Sequence, residues 1–195
     1  MPTITYLVGP PASGKRTIGQ ELAAMTGAAL IDNHLINDPI FTAYGADGRT
    51  PLPGRIWDQV AQVREATMAA VLRAAPTASH IFTNYLSDDP SEAHFLHQLR
   101  AVAEERQARF LPVWLTCPEE ELVRRVALPA RAERLKMRDP DGLRELLRTK
   151  GVLPAPADAL VLDTFTMSPH EAAKRIVSSE SSGLGSQHHL DPSPR

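Results

Sequence analysis

The chain alternates short apolar runs with longer stretches in which apolar residues recur every three or four positions. The apolar runs are rich in β-branched residues and are typical of buried strands; they lie at 3–9, 28–32, 80–86, 109–117 and 159–163. The helical stretches lie at 15–26, 55–75, 87–107, 118–128 and from 168 onward. Strands that alternate with helices form βαβ units, so the pattern predicts an α/β fold in which a five-stranded parallel sheet lies between two layers of helices.

Residues at the ends of these stretches support the helix boundaries. In the first helix, Ile18, Leu22 and Met25 fall on one face, and Gly27 is suited to end the helix. The last helix begins with the residues SPHE, in which the serine and the glutamate can form a capping box. By contrast, proline and glycine punctuate the segment 37–54, so we expect a long irregular loop there.

The composition of the chain excludes several classes of protein to which it could belong. With 195 residues, of which 43% are hydrophobic and 23% charged, the chain is long enough for one globular domain with a sizeable core. A formal net charge of −2 provides no basic field for nucleic acid, and no apolar run approaches the roughly 20 residues of a membrane helix. The single cysteine, Cys117, excludes an intrachain disulfide, and with no leader-like N-terminal pattern it favours a cytoplasmic protein.

We expect the folded domain to cover residues 1–177. From Ser178 the chain is rich in Ser, Gly and Pro and has no apolar periodicity, so 178–195 is predicted to be a flexible tail, native or appended, without a function of its own. Within the domain, three segments carry candidate chemistry. They are the glycine-rich loop after the first strand, the polar residues after the second strand, and a basic stretch after the fourth.

The stretch GPPASGK, residues 9–15, lies directly after the first strand and directly before the first helix. Its two glycines and its lysine have the spacing G-x-x-x-x-G-K of a phosphate-binding loop. In such a loop, backbone N–H groups point inward at phosphate oxygens, the helix N-terminus adds partial positive charge, and the lysine supplies a full charge. The alternative is a Gly-Pro turn without a ligand, which the strand–helix context disfavours. The predicted ATP-binding residues are Gly9, Pro10, Pro11, Ala12, Ser13, Gly14, Lys15, Arg16 and Thr17.

Arg16 departs from the usual loop, in which a hydroxyl residue follows the lysine and ligates Mg²⁺. An arginine at this position cannot ligate a cation. The stretch GPPASGKRT resembles the GPPGxGKGT loop of nucleoside monophosphate kinases, which also lacks a hydroxyl at that place. The resemblance implies a three-layer P-loop NTPase fold with a small helical lid. It also implies that Thr17 contacts phosphate and that the metal is held largely through water. Arg16 stands where that loop has glycine, so it could point to solvent or reach the substrate.

The second strand ends at Asp32, which a parallel sheet places beside the phosphate loop. A carboxylate there can orient the waters of Mg²⁺ or accept the proton of an attacking hydroxyl. The stretch LIDNHL also resembles the shikimate and gluconate kinase-like group, in which a D-x-D or D-G-D motif touches substrate and metal. Asp32 matches the first acid of that motif and His34 stands at the second, so the resemblance implies substrate contact for both. Alternatively, Asp32 caps a helix that begins at about Asn33.

The basic stretch RVALPARAERLKMRD follows the fourth strand and its helix. In kinases of this group, that place holds a mobile lid whose arginines fold over the transferring phosphoryl group, since the transition state spreads negative charge over its oxygens. By this resemblance 128–150 is the lid, and Arg131 and Arg134 are its catalytic arginines in preference to Arg138. A proline before them and a DPDG turn after them suit hinges. A solvated helix face is the plainer interpretation of such a charge run.

The resemblance places the acceptor-binding region at 33–64, between the second strand and the helix that follows. Arg55 and Arg64 could hold an anionic acceptor, although a surface position is the plainer interpretation of each. Asn84 lies near the carboxyl end of the predicted third strand and is therefore expected at the edge of the sheet where ligands bind. The third strand contains no acid, which disfavours a mechanical NTPase and suits a small-molecule kinase.

Together, the residues and the resemblance predict an ATP-dependent phosphotransferase that moves the γ-phosphoryl group to a hydroxyl or phosphate of a small molecule. The expected cofactors are ATP and Mg²⁺, with the metal near Thr17 and Asp32 through water. Lys15, Asp32, Arg131 and Arg134 are expected to be catalytic. We expect a monomer or homodimer without a nucleic-acid or membrane partner. Two rivals stay open, namely an ATP-binding regulatory module without transfer and an NTPase that switches a partner.

Overall fold

The computed structural model describes residues 1–47, 50, 52–128 and 137–182, and it has the predicted alternation of strands and helices. The strands are Thr3–Val8 (β1), Ala29–Asp32 (β2), His80–Asn84 (β3), Arg109–Thr116 (β4) and Leu160–Asp163 (β5). The α-helices are Lys15–Thr26 (α1), Asn33–Tyr44 (α2), Arg55–Arg73 (α3), Ala93–Glu105 (α4), Glu119–Val126 (α5), Pro140–Lys150 (α6) and Pro169–Ser182 (α7). A 3₁₀ turn, Pro90–Glu92, precedes α4. Within this described part of the chain, no helix is long and apolar enough to cross a membrane.

The strands pair in parallel in the order β2–β3–β1–β4–β5. The last residue of the central strand, Val8, is in register with Asn84 of β3 and Trp114 of β4. Towards one edge of the sheet, Asp32 of β2 is in register with Thr83 of β3. The carboxyl ends of the strands therefore meet at one side of the sheet, and the loop that follows β1 lies in the middle of that side.

Helices cover both faces of the sheet, because alternate residues of β1 point to opposite sides. Tyr6 packs with apolar residues of α3 and α4, whereas Leu7 packs with apolar residues of α1 and α7. The predicted α/β architecture with three layers is confirmed. On α1, Ile18 and Leu22 are buried as expected, but Met25 is 38% exposed, so the apolar pattern of α1 extends further than its buried face.

The segment between β2 and α3 differs from the prediction of an irregular loop over 37–54. Helix α2 occupies 37–44 of this range, with Pro39 inside the helix, and Gly45 ends the helix at a φ of 78°. A proline inside a helix removes a backbone hydrogen bond, but packing of an apolar face supplies most of the stability of a protein helix. The cluster that packs α2 against α3 contains Ile36, Phe41, Ile56 and Val60.

Part of the predicted lid, 128–150, is helical. The DPDG turn, expected to be a hinge, is the start of α6, where the side chain of Asp139 caps the helix by accepting a backbone N–H at 3.1 Å. Helix α6 packs against α5 through a cluster that includes the buried Leu143. The predicted lid arginines, Arg131 and Arg134, lie outside the described residues, so their role stays a prediction.

Helix α7 extends beyond its predicted end. Its capping box is present, since Ser168 Oγ donates to the carboxylate of Glu171 at 2.7 Å and accepts from the backbone of that residue at 3.3 Å. The helix continues through residue 182, so the predicted start of the tail, Ser178, lies inside it. Arg109 of β4 holds this part of α7 by donating to two of its carbonyl oxygens. A tertiary contact thus orders residues that their composition assigned to a tail.

We predict that Gly9→Ala destabilises the fold. A Cβ at this position would lie 2.8 Å from the carbonyl oxygen of Leu115 and 2.9 Å from Ser13 Oγ, and the Leu115 backbone cannot move aside as a flexible side chain would. Overpacking of this kind lowers the free energy of unfolding by about 1–3 kcal/mol, which urea titration measures. Gly54→Ala is the matched control, because nothing lies within 4 Å of its added Cβ. Equal effects of the two substitutions would contradict the close approach at Gly9.

Candidate active site

The loop between β1 and α1 has the backbone of an anion-binding turn. Gly14 has a φ of 90° and Ala12 a φ of 67°, a left-handed conformation that costs glycine little but costs alanine about 1–2 kcal/mol. Lys15 folds back over the loop, and its Nζ donates to the carbonyl oxygens of Gly9 at 2.6 Å and Pro10 at 2.8 Å. Because α1 begins at Lys15, the positive end of the helix dipole also faces the loop. The loop therefore concentrates positive charge as phosphate binding requires.

Ser13 lies at the centre of the same loop. It is completely buried, and its hydroxyl has no hydrogen-bond partner within the described part of the chain. Leaving a buried polar group unpaired costs about 1–3 kcal/mol. The left-handed backbone of Ala12, the preceding residue, adds a second local cost in free energy. Such costs cluster where a segment is shaped for a ligand rather than for stability, so they agree with the predicted phosphate-binding role.

A cavity of about 720 Å³ opens over this loop at the carboxyl side of the sheet. Residues 11–17 line its middle. Asp32 and His34 line the end near β2, whereas Arg125 and Thr164 line the end near β5. Since β1 is the central strand, these two ends lie on opposite sides of the phosphate loop. The cavity can therefore hold one ligand on each side of the loop, with their reacting groups between.

Asp32 is 2% exposed, and both of its carboxylate oxygens accept hydrogen bonds. Oδ1 accepts from the backbone N–H of His34 at 3.1 Å and from Thr83 Oγ1 at 3.3 Å. Oδ2 accepts from Nη1 of Arg16 at 3.2 Å. Asp32 thus caps α2, as the alternative interpretation expected, and it also lines the cavity. Arg16 turns toward this carboxylate and lines the cavity as well.

Helix α5 supplies the end of the cavity near β5. Nε of Arg125 donates to Glu121 at 2.6 Å, and its Nη2 donates to the carbonyl oxygen of Thr164 at 2.8 Å. Arg124 donates to the same glutamate at 2.7 Å. Hydrogen bonds from Arg124 and then from Arg125 lower the pKa of Glu121 to about 2. Arg125 begins the basic stretch that the sequence analysis identified, but it was not among the predicted site residues, although its spacing of four from Glu121 on a helix signals an ion pair.

Three of the predicted substrate residues are absent from the described residues that line the cavity, as are Gly9 and Pro10 of the predicted ATP-binding loop. Arg55 is exposed at the start of α3, and Arg64 stacks over an aromatic ring of α4 at 4.9 Å. The backbone carbonyl oxygen of Asn84 accepts an N–H from the phosphate loop at 3.2 Å, whereas its side-chain oxygen accepts the backbone N–H of Tyr85 at 3.0 Å. Its neighbours Thr83 and Tyr85 line the cavity instead. The register of β2 with β3, which brings Thr83 beside the second strand, cannot be read from the sequence.

The described residues do not fit a directly ligated Mg²⁺, which takes six oxygen ligands in octahedral geometry. Both oxygens of Asp32 are engaged, one of them by the guanidinium of Arg16. Thr17 is exposed on α1. No group of three or more His, Cys, Asp or Glu side chains could hold a metal within the ranges that the structure describes. The expected contact of Thr17 and Asp32 with the metal through water stays a prediction.

We predict that the ion pairs of Glu121 contribute to the stability of the fold and that acid removes this contribution. The folded-state pKa of about 2 lies below the ordinary value of 4.5, so folding favours the ionised form. The contribution is complete above about pH 4.5 and is lost as the pH falls toward about 2. Glu121→Gln should therefore lower the melting temperature at neutral pH, and this difference should shrink as the pH falls below about 4.5. Calorimetry over a pH series measures it, and a difference independent of pH would contradict the pairing.

The chain is similar to known proteins in sequence pattern and in fold. The model of the AAA domain family matches residues 6–142. A provisionally assigned kinase from Chloroflexus aurantiacus J-10-fl is 20% identical with a TM-score of 0.63, over 93% of this chain and 97% of that one. A gluconokinase from Sinorhizobium meliloti 1021 is 17% identical with a TM-score of 0.59, over 94% of this chain and 95% of that one. The shikimate kinase of Acinetobacter baumannii, in complex with shikimate, is 19% identical with a TM-score of 0.57, over 95% of this chain and 96% of that one. Among curated proteins, no sequence matches this chain significantly.

The family match begins in β1 and ends in α6, so it includes the phosphate loop, the β2 end of the cavity and α5. The solved structures cover 93–95% of the chain, and at 17–20% identity they establish the fold. Their strands and helices correspond to a P-loop domain rather than to the loop alone. The chain therefore belongs to the AAA domain family and has the fold of the P-loop small-molecule kinases.

Proposed function

We propose that the protein is an ATP-dependent phosphotransferase that moves the γ-phosphoryl group to a small-molecule acceptor. One observation carries this proposal: the phosphate loop with Lys15 and the polar end of β2 with Asp32 line a single cavity. A phosphoryl donor on the loop and an acceptor near Asp32 would therefore meet without crossing solvent. The similarity in fold to a gluconokinase and a shikimate kinase supports the same reaction class.

The phosphate loop would hold the triphosphate. Its backbone N–H groups and the N-terminus of α1 would face the phosphate oxygens. The ammonium group of Lys15 would exchange the carbonyl oxygens of Gly9 and Pro10 for charged phosphate oxygens, with which hydrogen bonds are stronger. The nucleoside would lie at the end formed by Arg125 and Thr164. Mg²⁺ would bring neutralising charge with the nucleotide, and Arg131 and Arg134 would add to it.

The β2 end of the cavity would hold the acceptor. Asp32 keeps Arg16 at this end through their ion pair. A guanidinium has five N–H donors, so Arg16 can keep its bond to Asp32 and still donate to an oxygen of the acceptor or of the transferring group. Arg16 would thus orient the reacting groups, which is how an enzyme lowers the entropic part of its barrier.

An ATP-binding regulatory module is the second candidate. The ion pair with Arg16 favours it, because a carboxylate that is already bound to a guanidinium is less available to a metal or to the hydroxyl of an acceptor. A regulatory module would bind ATP and transfer nothing. Phosphoryl transfer therefore separates the two candidates, and ATP binding alone does not.

The first test of the proposal concerns ATP binding. Lys15→Ala should weaken the affinity for ATP by about ten- to a hundredfold, because one charged hydrogen-bonding group is lost from the phosphate site. Isothermal titration with ATP measures the change. Lys174→Ala is the control, since this exposed lysine of α7 lies outside the cavity and its loss should leave the affinity unchanged. Equal affinities of wild type and Lys15→Ala would rule out the phosphate-loop assignment.

The second test concerns transfer. Wild-type protein, supplied with γ-labelled Mg-ATP, should phosphorylate a member of a panel of nucleoside monophosphates, sugars, sugar acids and antibiotics. Asp32→Asn should lower this turnover at least about a hundredfold, since it releases Arg16 and removes a charge at the reacting groups, while ATP affinity stays within a few fold. Asp158→Asn, which breaks an exposed ion pair with Arg100, should change neither. Tight ATP binding without transfer to any acceptor would favour the regulatory module.

A further inference from the structure

Thr83 is a buried polar residue near the end of β3 to which the proposed reaction gives no role. It is 3% exposed, and it lines the cavity beside Asp32. The two residues before it, Ile81 and Phe82, are apolar and almost completely covered. A valine has nearly the same shape as threonine and would need no hydrogen-bond partner in such a strand. The hydroxyl group is thus the part of Thr83 that packing alone does not require.

Strand register places this hydroxyl group next to the carboxylate of Asp32. Asp32 of β2 is paired with Thr83 of β3, and two residues earlier Leu30 is paired with Ile81. Leu30 and Ile81 pack in the apolar cluster that covers α1. Because side chains two residues apart on a strand point to the same side, Asp32 and Thr83 also point toward α1, where Arg16 lies. In such surroundings a hydrogen bond is stronger than in water.

The hydroxyl group of Thr83 contacts two consecutive residues where β2 passes into α2. Its oxygen accepts the backbone N–H of Asn33 at 3.2 Å, which is one of the N–H groups at the start of α2 that have no partner within the helix. Its proton can be donated to Oδ1 of Asp32 at 3.3 Å. The amide oxygen of Asn33 lies farther away, at 3.5 Å, and a carboxylate is the stronger acceptor. One hydroxyl group can accept and donate at the same time.

These contacts limit how the carboxylate of Asp32 can turn. The χ2 torsion of an aspartate is broad, so the plane of its carboxylate is set by what it contacts. Oδ1 accepts from Thr83 and from the backbone N–H of His34, and Oδ2 accepts from Arg16. The three donors belong to β3, α2 and α1. Without the Thr83 hydroxyl the carboxylate could rotate about its Cβ–Cγ bond, and Arg16 would follow the oxygen to which it donates.

We propose that Thr83 is a positioning residue for phosphoryl transfer, because its hydroxyl group fixes the orientation of Asp32 and, through the ion pair, that of Arg16. The third strand contains no acid, and it supports the acid of the second strand instead. At 3.3 Å the bond is longer than most O–H···O bonds, and hydrogen bonds of catalytic groups often tighten when ligands bind. The inference rests on the proposed function for the reaction, whereas the orientation of Asp32 can be measured without it.

Crystal structures of the wild type, Thr83→Val and Thr83→Ser test the orientation. In Thr83→Val the carboxylate of Asp32 is expected to rotate and Arg16 to move with it. Thr83→Ser keeps the hydroxyl group and should keep the wild-type arrangement. If the valine variant does not fold, Thr83→Ala removes the same hydroxyl group and takes its place in each measurement. An unchanged arrangement of Asp32 and Arg16 without the hydroxyl group would overturn the proposal.

Transfer from Mg-ATP to the acceptor found among nucleoside monophosphates, sugars, sugar acids and antibiotics tests the effect on the reaction. Thr83→Val should lower kcat about ten- to a hundredfold, as expected for one lost hydrogen bond to a charged group. The KM for ATP should be unchanged, because the phosphate loop is intact. Thr83→Ser should restore kcat to within a few fold of the wild type. A normal kcat in Thr83→Val, or a loss that serine does not restore, would overturn the positioning role.

Thr5 of β1 provides the matched control. It is 2% exposed, and its hydroxyl group donates to a carboxylate oxygen of Glu180 at 3.2 Å. It is not among the described residues that line the cavity. Thr5→Val therefore removes the same kind of bond from a buried strand, and it should lower the melting temperature but leave kcat unchanged. A loss of kcat equal to that in Thr83→Val would overturn the proposal, because both effects would then follow from stability.

The two measurements separate this inference from the proposed function. A wild-type protein that phosphorylates no member of the panel would overturn the proposed function and the role of Thr83 in transfer together. Active transfer by the wild type, with Asp32 and Arg16 unmoved in Thr83→Val, would overturn the role of Thr83 alone.

Discussion

The buried carboxylate of Asp32 connects the parts of the candidate site. Removing a charge from water is costly unless partners replace the lost hydration, and here three groups do so: the first turn of α2, the hydroxyl of Thr83 on β3, and the guanidinium of Arg16 on α1. Each partner belongs to a different element. The position of α2, the edge of the sheet and the charge beside the phosphate loop are therefore linked through one side chain.

This linkage gives Arg16 a structural explanation. A residue with a long cationic side chain directly after the loop lysine is unexpected if that position serves a metal, but it is expected if the neighbouring carboxylate needs a counter-ion. The guanidinium is itself 28% exposed and borders the cavity, while the carboxylate behind it is nearly covered. The pair thus offers positive charge to the ligand side and keeps negative charge away from it. A polyphosphate would meet Lys15 and Arg16 before it meets Asp32.

The loop contains residues in unfavourable local states, whereas the packed sheet and helices around it stabilise the fold. Two unfavourable features lie in the loop: the left-handed backbone of Ala12, and the hydroxyl of Ser13, which has no hydrogen-bond partner among the described residues. Others lie elsewhere, at Gln107 and at buried polar atoms of Tyr6, His80 and Arg106. The stabilising features lie outside the loop, in the apolar clusters on both faces of the sheet. An arrangement of this kind lets a rigid sheet hold a strained segment in the conformation that a ligand needs. Because β1 lies in the middle of the strand order, the strands on either side of it set the distance between the two ends of the cavity.

Local sequence signals were sufficient where structure depends on local interactions. The spacing of glycines and lysine identified the loop, the SPHE pattern identified the cap of α7, and the apolar runs identified the strands. They were insufficient where a distant contact outweighs composition. Packing against α3 accompanies a helix around Pro39, and Arg109 holds residues of α7 whose composition is typical of a tail.

The sequence by itself determined the order of elements and the chemistry of the loop, because these follow from periodicity and from residues close together in the chain. Only the tertiary structure decided which polar groups from distant parts of the chain meet in the candidate site. Asp32 finds Arg16 and Thr83 at separations of 16 and 51 residues, and Arg125 finds Thr164 at a separation of 39. Such pairs depend on strand order and register, and these arise from the burial of whole faces of the sheet rather than from any local pattern.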